Sequence, residues 1–357
     1  MKSEYIIGGV LLFFIVVAGI VVYKIPNKNQ SGDSALKTLG TEKSSPYVEI
    51  ENPAGFVNTD NKPIKIADYV GKKVILLDVL TYSCINCQRT FPYLNAWYDK
   101  YKDDGFIVIG IHTPEFAFEK DKANVEKAMK EFGVTFPVVL DNDYGTWNAL
   151  GNKFWPHKYL IDIHGNVVYD HIGEGGYEET ETKIQELLKE RATVLGTGES
   201  VDGGLAASSV PETSIDTKSP ETYIGAGRNE YLANGKPGET GVQNFVLPDA
   251  IKSNQLYLGG QWNILSEYAE TKDNAIIKYK YNAKEVYLVA ESINGGTITV
   301  MQDGSVVSEA AGADAPAGTA QVKNSRLYKL IKNPSAGEHT LELKISPGVK
   351  AFAFTFG

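Results

Sequence analysis

Cysteine is nearly absent from this chain. Among 357 residues there are two, Cys84 and Cys87, separated by Ile85 and Asn86. A disulfide scaffold is thereby excluded. Histidine is scarce as well, with five in all, and none stands at a ligand spacing that would complete a four-ligand zinc site with the two cysteines. Covalent haem attachment requires His directly after the second cysteine, and Gln88 occupies that place. Basic charge is also in short supply: 35 Lys and Arg against 44 Asp and Glu give a net charge of -9 without a basic patch, which argues against nucleic acid as a partner. What the cysteines leave open is a redox pair or a bare structural disulfide. A bridge closing so small a loop removes little unfolded-state entropy, so the redox pair is the preferred reading.

Long apolar runs are missing except at the front. Residues 6–23, IIGGVLLFFIVVAGIVVY, carry no charge and measure about 27 Å as a helix, enough to cross a bilayer. A cleaved signal peptide has a shorter apolar core and a small-x-small site, whereas Tyr23, Lys24, Ile25 and Pro26 follow here. The expectation is one uncleaved transmembrane helix (1–24), then a polar tether (25–46). Lys2 on one side and Lys24 and Lys28 on the other do not fix its orientation.

From Tyr47 the texture is that of an α/β domain. VILLDVL (74–80) and FIVIGIH (106–112) are continuous apolar runs suited to strands buried on both faces. Phe91, Leu94, Trp97, Tyr98 and Tyr101 recur at helical spacing, which puts the cysteines at a helix start, where free amides favour a thiolate. Residues 119–132 read as an amphipathic helix, KYLIDIHGNVVYDHIG as a hairpin, and 177–190 as an acid-led helix. FVNTDNKPIKI reads as two extended pieces around Asp60-Asn61. Residues 193–218, mostly Gly, Ser, Thr and acids, read as a linker. Beyond it, NAIIKYKYN, EVYLVAE, GTITVMQDG, HTLELKIS and AFAFTFG are short strands between turns, so 219–357 is expected to be an all-β jelly-roll sandwich.

Strand, Cys-x-x-Cys helix, strand, helix, hairpin and helix, in that order over 47–192, resembles the thioredoxin superfamily. Pro92 lies where thioredoxins carry a helix-kinking proline, Asp78 where thioredoxin keeps a buried acid, and Trp155-Pro156 at the place of the family's cis-proline. The pieces before the first core strand and the extra helix look like the membrane-tethered extracytoplasmic branch. SPETYIG (219–225), the C-terminal strands and TYSCINCQRTFPYL resemble the DipZ-type proteins of mycobacteria, in which a thioredoxin-like domain precedes a carbohydrate-binding-module-like sandwich. Those proteins carry a multi-helix electron-transporting membrane domain. Here one apolar segment stands in its place, so the resemblance implies a separate transmembrane electron carrier of the DsbD or CcdA kind.

The resemblance also implies roles. Cys84 attacks and Cys87 resolves the mixed disulfide. Asp78 accepts the proton of Cys87, burial raising its pKa, or else bonds neighbouring amides. Trp155 and Pro156 hold substrate backbone beside Cys84, with Tyr82 as a further substrate contact. No cofactor is expected beyond a redox-active Cys84–Cys87 disulfide, and no metal. Protein thiols and disulfides are the expected partners, with a glycan as a further one if Tyr257, Trp262 and Tyr268 face outward rather than into the core. His157, Trp97 and Trp147 read as structural. Two alternatives stand beside this reading. Thr81-x-x-Cys84 is half of a peroxiredoxin site, although Leu77 occupies the place of its proline, and the chain could instead be a surface-binding module on a thioredoxin scaffold.

Overall fold

The computed structural model describes residues 45–60, 62–198, 200–206, 210 and 217–357. The expected anchor (6–23) and the tether up to residue 44 lie outside them. Among the described residues no helix is long and apolar enough to cross a membrane.

The first region comprises β1 (Ser45–Pro46), β2 (Gly55–Val57), β3 (Val74–Leu80), α1 (Ile85–Tyr101), β4 (Phe106–His112), α2 (Lys122–Glu131), β5 (Val138–Leu140), α3 (Gly145–Ala149), β6 (His157–Ile161), β7 (Asn166–Ile172) and α4 (Tyr177–Leu195). One sheet runs β1-β7-β6-β3-β4-β5-β2. β3 and β4 pair in parallel from Val74↔Phe106 to Leu80↔His112, while β6 lies antiparallel on the other side of β3. All seven residues of each central strand are buried. Side chains alternate between faces along a strand, so Val74, Leu76 and Leu80 meet Phe91, Leu94 and Trp97 of α1 and Ile184 of α4, while Ile75, Leu77 and Val79 meet Ile66, Tyr159 and Trp147. This is the two-sided burial that the apolar runs called for.

Local boundaries differ from the sequence reading in four places. The tether's last residues, Ser45 and Pro46, pair with Val167 and Asn166. The helix expected over 119–132 starts at Lys122, because Asp121 caps it by accepting the Ala123 N–H at 2.8 Å, and 117–120 form a 3-10 turn instead. Of the two extended pieces around Asp60, β2 is a strand and residues 62–65 are not. In the expected linker, α4 continues to Leu195 and is closed by Gly196 at φ 66°. Gly204 O accepts from Gln185 Nε2 at 3.0 Å and the Ala206 N–H donates to Glu181 at 2.6 Å, so residues 204–206 are tied to α4.

The second region is β-rich: β8 (Thr222–Tyr223), β9 (Gly241–Phe245), β10 (Leu256–Ile264), β11 (Ala269–Thr271), β12 (Ala275–Glu291), β13 (Gly296–Gln302), β14 (Ser305–Val306), β15 (Thr319–Val322), β16 (Arg326–Ile345) and β17 (Lys350–Phe356). Every pairing between two of these strands is antiparallel. β12 pairs with β10 through its first half and with β17 through its second, and shifts of register against β16 mark the bend between them. Its alternating pattern buries Ile277, Tyr279 and Tyr281 in a core with Trp262, Leu288, Tyr328 and Phe354. Trp262 is fully buried, its Nε1–H bonded to Gly259 O at 3.1 Å; Tyr257 is buried too, and Tyr268 packs on Phe352. Trp262 and Tyr257 take the core alternative, while Tyr268 is half-buried.

Candidate active site

β3 delivers the chain to Thr81-Tyr82-Ser83, and Cys84 is the residue that opens α1. Its carbonyl accepts the Gln88 N–H at 3.0 Å, and no side chain caps the helix there. The free amides of the first turn thus lie at the end of α1 that Cys84 opens. Cys84 is half-buried and Cys87, one turn in, is buried. Both are unbridged. Burial, together with the neighbouring Cys84 and Asp78, pushes the Cys87 thiol well above the usual range. That thiol therefore needs a proton acceptor before it can attack.

Asp78, the acceptor expected from the sequence, is near enough to act on the Cys87 thiol electrostatically. It is 1% exposed, and neither carboxylate oxygen has a hydrogen-bond partner. Directly across the ladder stands Lys158 of β6, also buried, its Nζ donating to Gly173 O at 3.0 Å. Desolvation raises the Asp78 carboxyl to about 7, with the Lys158 cation pulling the other way. Desolvation likewise lowers Lys158 to about 8, against the pull of Asp78. A carboxyl near neutrality beside a buried thiol is suited to proton exchange. The alternative for Asp78, bonding to neighbouring amides, is not what the side chain does.

Two residues of this site escaped the sequence. Lys158 reads there as one polar position in an alternating strand. Glu119 reads as the polar face of a helix, yet its fully buried carboxylate accepts from the Ser83 N–H at 3.1 Å, Ser83 Oγ at 2.6 Å, the Glu115 N–H at 2.6 Å and the Phe116 N–H at 3.0 Å. It fastens the loop that carries Cys84. Burial raises its pKa, and the bonds from Ser83 and Phe116 oppose that. An acid two residues before a helix-capping Asp was the only available signal.

The Trp155–Pro156 bond is cis. The Trp155 indole donates to Thr113 O at 3.0 Å and packs on Trp147 at 4.3 Å between centroids, which leaves the half-buried residue facing the same groove as Cys84. His157 is held between Asn152 (2.6 Å) and Asp170 (2.8 Å), and burial lowers its pKa in spite of Asp170, so it is structural. Trp97 is buried in the core, its indole N–H bonded to Glu181 at 3.0 Å, while Trp147 is half-buried. Tyr82, expected to touch substrate, does not face that groove. Its buried ring lies against His112 and Phe118, and its hydroxyl donates to Ser325 O of the β-rich region at 3.0 Å. Among the described residues no cluster of three His, Cys, Asp or Glu is placed to hold a metal.

A thiol at a helix tip and a buried thiol one turn in, with Trp155 of the cis-proline loop lining the same groove as the first, form the arrangement that thiol–disulfide exchange calls for. Family models and curated relatives place the chain among thioredoxin-like proteins. Residues 30–188 match the family model described as Redoxin, and residues 219–357 that described as a thioredoxin-like C-terminal domain. Protein DipZ of Mycobacterium tuberculosis is 36% identical over 328 residues, 91% of this chain and 44% of that protein. Thiol-disulfide oxidoreductase ResA of Geobacillus kaustophilus is 34% identical over 149 residues, 41% of this chain and 82% of that one. A crystal structure of a thiol:disulfide interchange protein from Chlorobium tepidum aligns at 22% identity and a TM-score of 0.35, over 41% of this chain and 97% of that one. The chain belongs to the thioredoxin superfamily. It spans less than half the length of its DipZ relatives.

Proposed function

We propose that the chain is a thiol–disulfide oxidoreductase acting on protein disulfides through Cys84 and Cys87. The observation that carries this reading is the placement of Cys84 at the open tip of α1, with Cys87 buried one turn behind it beside the Asp78 carboxylate. The Cys84 thiolate attacks one sulfur of the substrate disulfide, that S–S bond breaks, and the departing substrate sulfur leaves as thiolate. Cys87 gives its proton to Asp78 and attacks Cys84 Sγ. The mixed disulfide breaks, the second substrate thiol is released, and the Cys84–Cys87 disulfide holds the two electrons' worth of oxidation. Trp155 and Pro156 hold the substrate backbone during both steps.

The apolar segment 6–23 anchors the chain with 45–357 outside the cytoplasm, and a separate transmembrane carrier of the DsbD or CcdA kind returns the disulfide to dithiol. Domain limits of 47–192 and 219–357, the second a jelly-roll sandwich of the carbohydrate-binding-module kind, complete the reading. A glycan role for the sandwich gains nothing from Trp262 and Tyr257, which are buried. The peroxidase reading requires a proline in place of Leu77. Dithiothreitol-driven reduction of insulin by the full chain tests the proposal: the wild type turns over and Cys84→Ser does not. Consumption of hydrogen peroxide without insulin reduction would establish the peroxidase reading instead.

A further inference from the structure

The β-rich region is docked around the cysteines. Ile85, between them, is 3% exposed and shares one apolar cluster with Phe116, Tyr287, Val289, Leu327 and Phe352. Arg89, further along α1, reaches Glu174 (3.3 Å), Glu285 (3.4 Å) and the Tyr287 hydroxyl (3.2 Å). Glu115 accepts from Tyr223 Oη and Arg228 Nη1, both at 2.8 Å. One flank of the Cys84 helix tip is thereby covered.

What stays open is a groove of about 570 Å³. Cys84, Phe154 and Trp155 line one side, and Glu221, Tyr223 and Arg228 of the β-rich region line the other. The guanidinium of Arg228 lies 3.6 Å from the centroid of the Tyr223 ring. Phe154 is 48% exposed beside the groove. The backbone N–H and C=O of Trp155 have no partner among the described residues.

We infer that this groove admits a disulfide only on an extended polypeptide segment and rejects one embedded in a folded surface. Even a transient redox encounter of two folded surfaces covers up to about 600 Å² on each partner, and the wall formed by Tyr223 and Arg228 lines the groove opposite Cys84, where such a surface would have to lie. A single extended chain is narrow enough to enter and can pair its backbone with the free groups of Trp155. A groove of this size is in the ~300–1,000 Å³ range of sites that enclose small ligands. The same restriction falls on the reductant, which must offer its thiol on a protruding segment. This inference rests on the exchange chemistry proposed above and deepens it by naming the substrate class and the β-rich region's part in selecting it.

The test uses the full, reduced chain and three oxidised probes: 5,5′-dithiobis(2-nitrobenzoate), a disordered peptide with one cystine, and a folded domain with a surface cystine of equal reduction potential. The peptide is expected to react at least ~100-fold faster than the folded domain. Tyr223→Ala with Arg228→Ala should lower the ratio of the peptide rate to the small-disulfide rate by about fivefold. Phe154→Ala, on an exposed side chain outside the docked cluster, should lower it in the same direction and guards against a loss caused by undocking. Peptide and folded domain reacting at similar rates, or a ratio unmoved in both variants, would overturn the groove inference and leave the exchange chemistry standing. No reaction even with the small disulfide would instead overturn the exchange reading itself.

Discussion

Replacing Asp78 by Asn removes a carboxyl that the fold holds near pH 7 against 3.8 in the open. At about 1.4 kcal/mol per pH unit, the ionised form is disfavoured in the core by roughly 4 kcal/mol. The sign follows from linkage. Between pH 3.8 and about 7 the folded state keeps a proton that the unfolded chain has lost, so this group's contribution to stability is greatest at acid pH and falls as pH rises to 7. Asn carries no such slope. Its unpaired amide adds a cost that does not vary with pH. Lys158, deprived of its anion, is lowered further, and that also makes the variant gain relative to wild type as pH rises. From pH 4.5 to 7.5, the stability of Asp78→Asn minus wild type should therefore grow by about 3 kcal/mol. Denaturant-dependent hydrogen exchange of the peptide covering β3 reports on this core apart from the β-rich region. Parallel pH profiles for the two proteins would refute the desolvation argument.

Lys158→Met should raise Asp78 further by removing the cation opposite it, and so move the pH dependence of mixed-disulfide resolution to the alkaline side by about 1 unit; an unmoved profile would detach Lys158 from the site. Glu119→Gln puts an amide where the Ser83 loop needs an acceptor with two free oxygens, and it should cost about 2 kcal/mol in unfolding free energy and slow attack by Cys84. Unchanged stability in urea would show that the loop holds without it. If 6–23 is an anchor with the remainder outside, protease added to spheroplasts should digest the chain beyond Lys24, whereas protection until lysis would put it inside.

Much of the first region was legible because its signals are local. Val74–Leu80 is apolar but for Asp78 because both faces of the strand are covered, and the same fact identifies it from sequence. Cys84, Cys87 and Pro156 carry chemistry that few residue types can perform. Lys158 and Glu119 were hidden for the opposite reason: a lysine in a strand and a glutamate near a helix are ordinarily solvated, and only the sheet order and the 3-10 turn make them buried. Tyr82 was misplaced because its surroundings are set by the β-rich region more than 200 residues away in the chain, through Ser325. The burial of Trp262 depends in the same way on strands that meet only in the folded sandwich.

The central claim is that Cys84 attacks and Cys87 resolves, and trapping tests it most directly. Full-length Cys87→Ser and Cys84→Ser are each exposed to a disulfide-bearing polypeptide, and the adducts are located by non-reducing mass spectrometry. Cys87→Ser should accumulate a long-lived mixed disulfide on Cys84, while Cys84→Ser, left with a buried thiol whose pKa is raised, should accumulate almost none. Equal trapping on both, or adducts on Cys87 alone, would contradict the assignment.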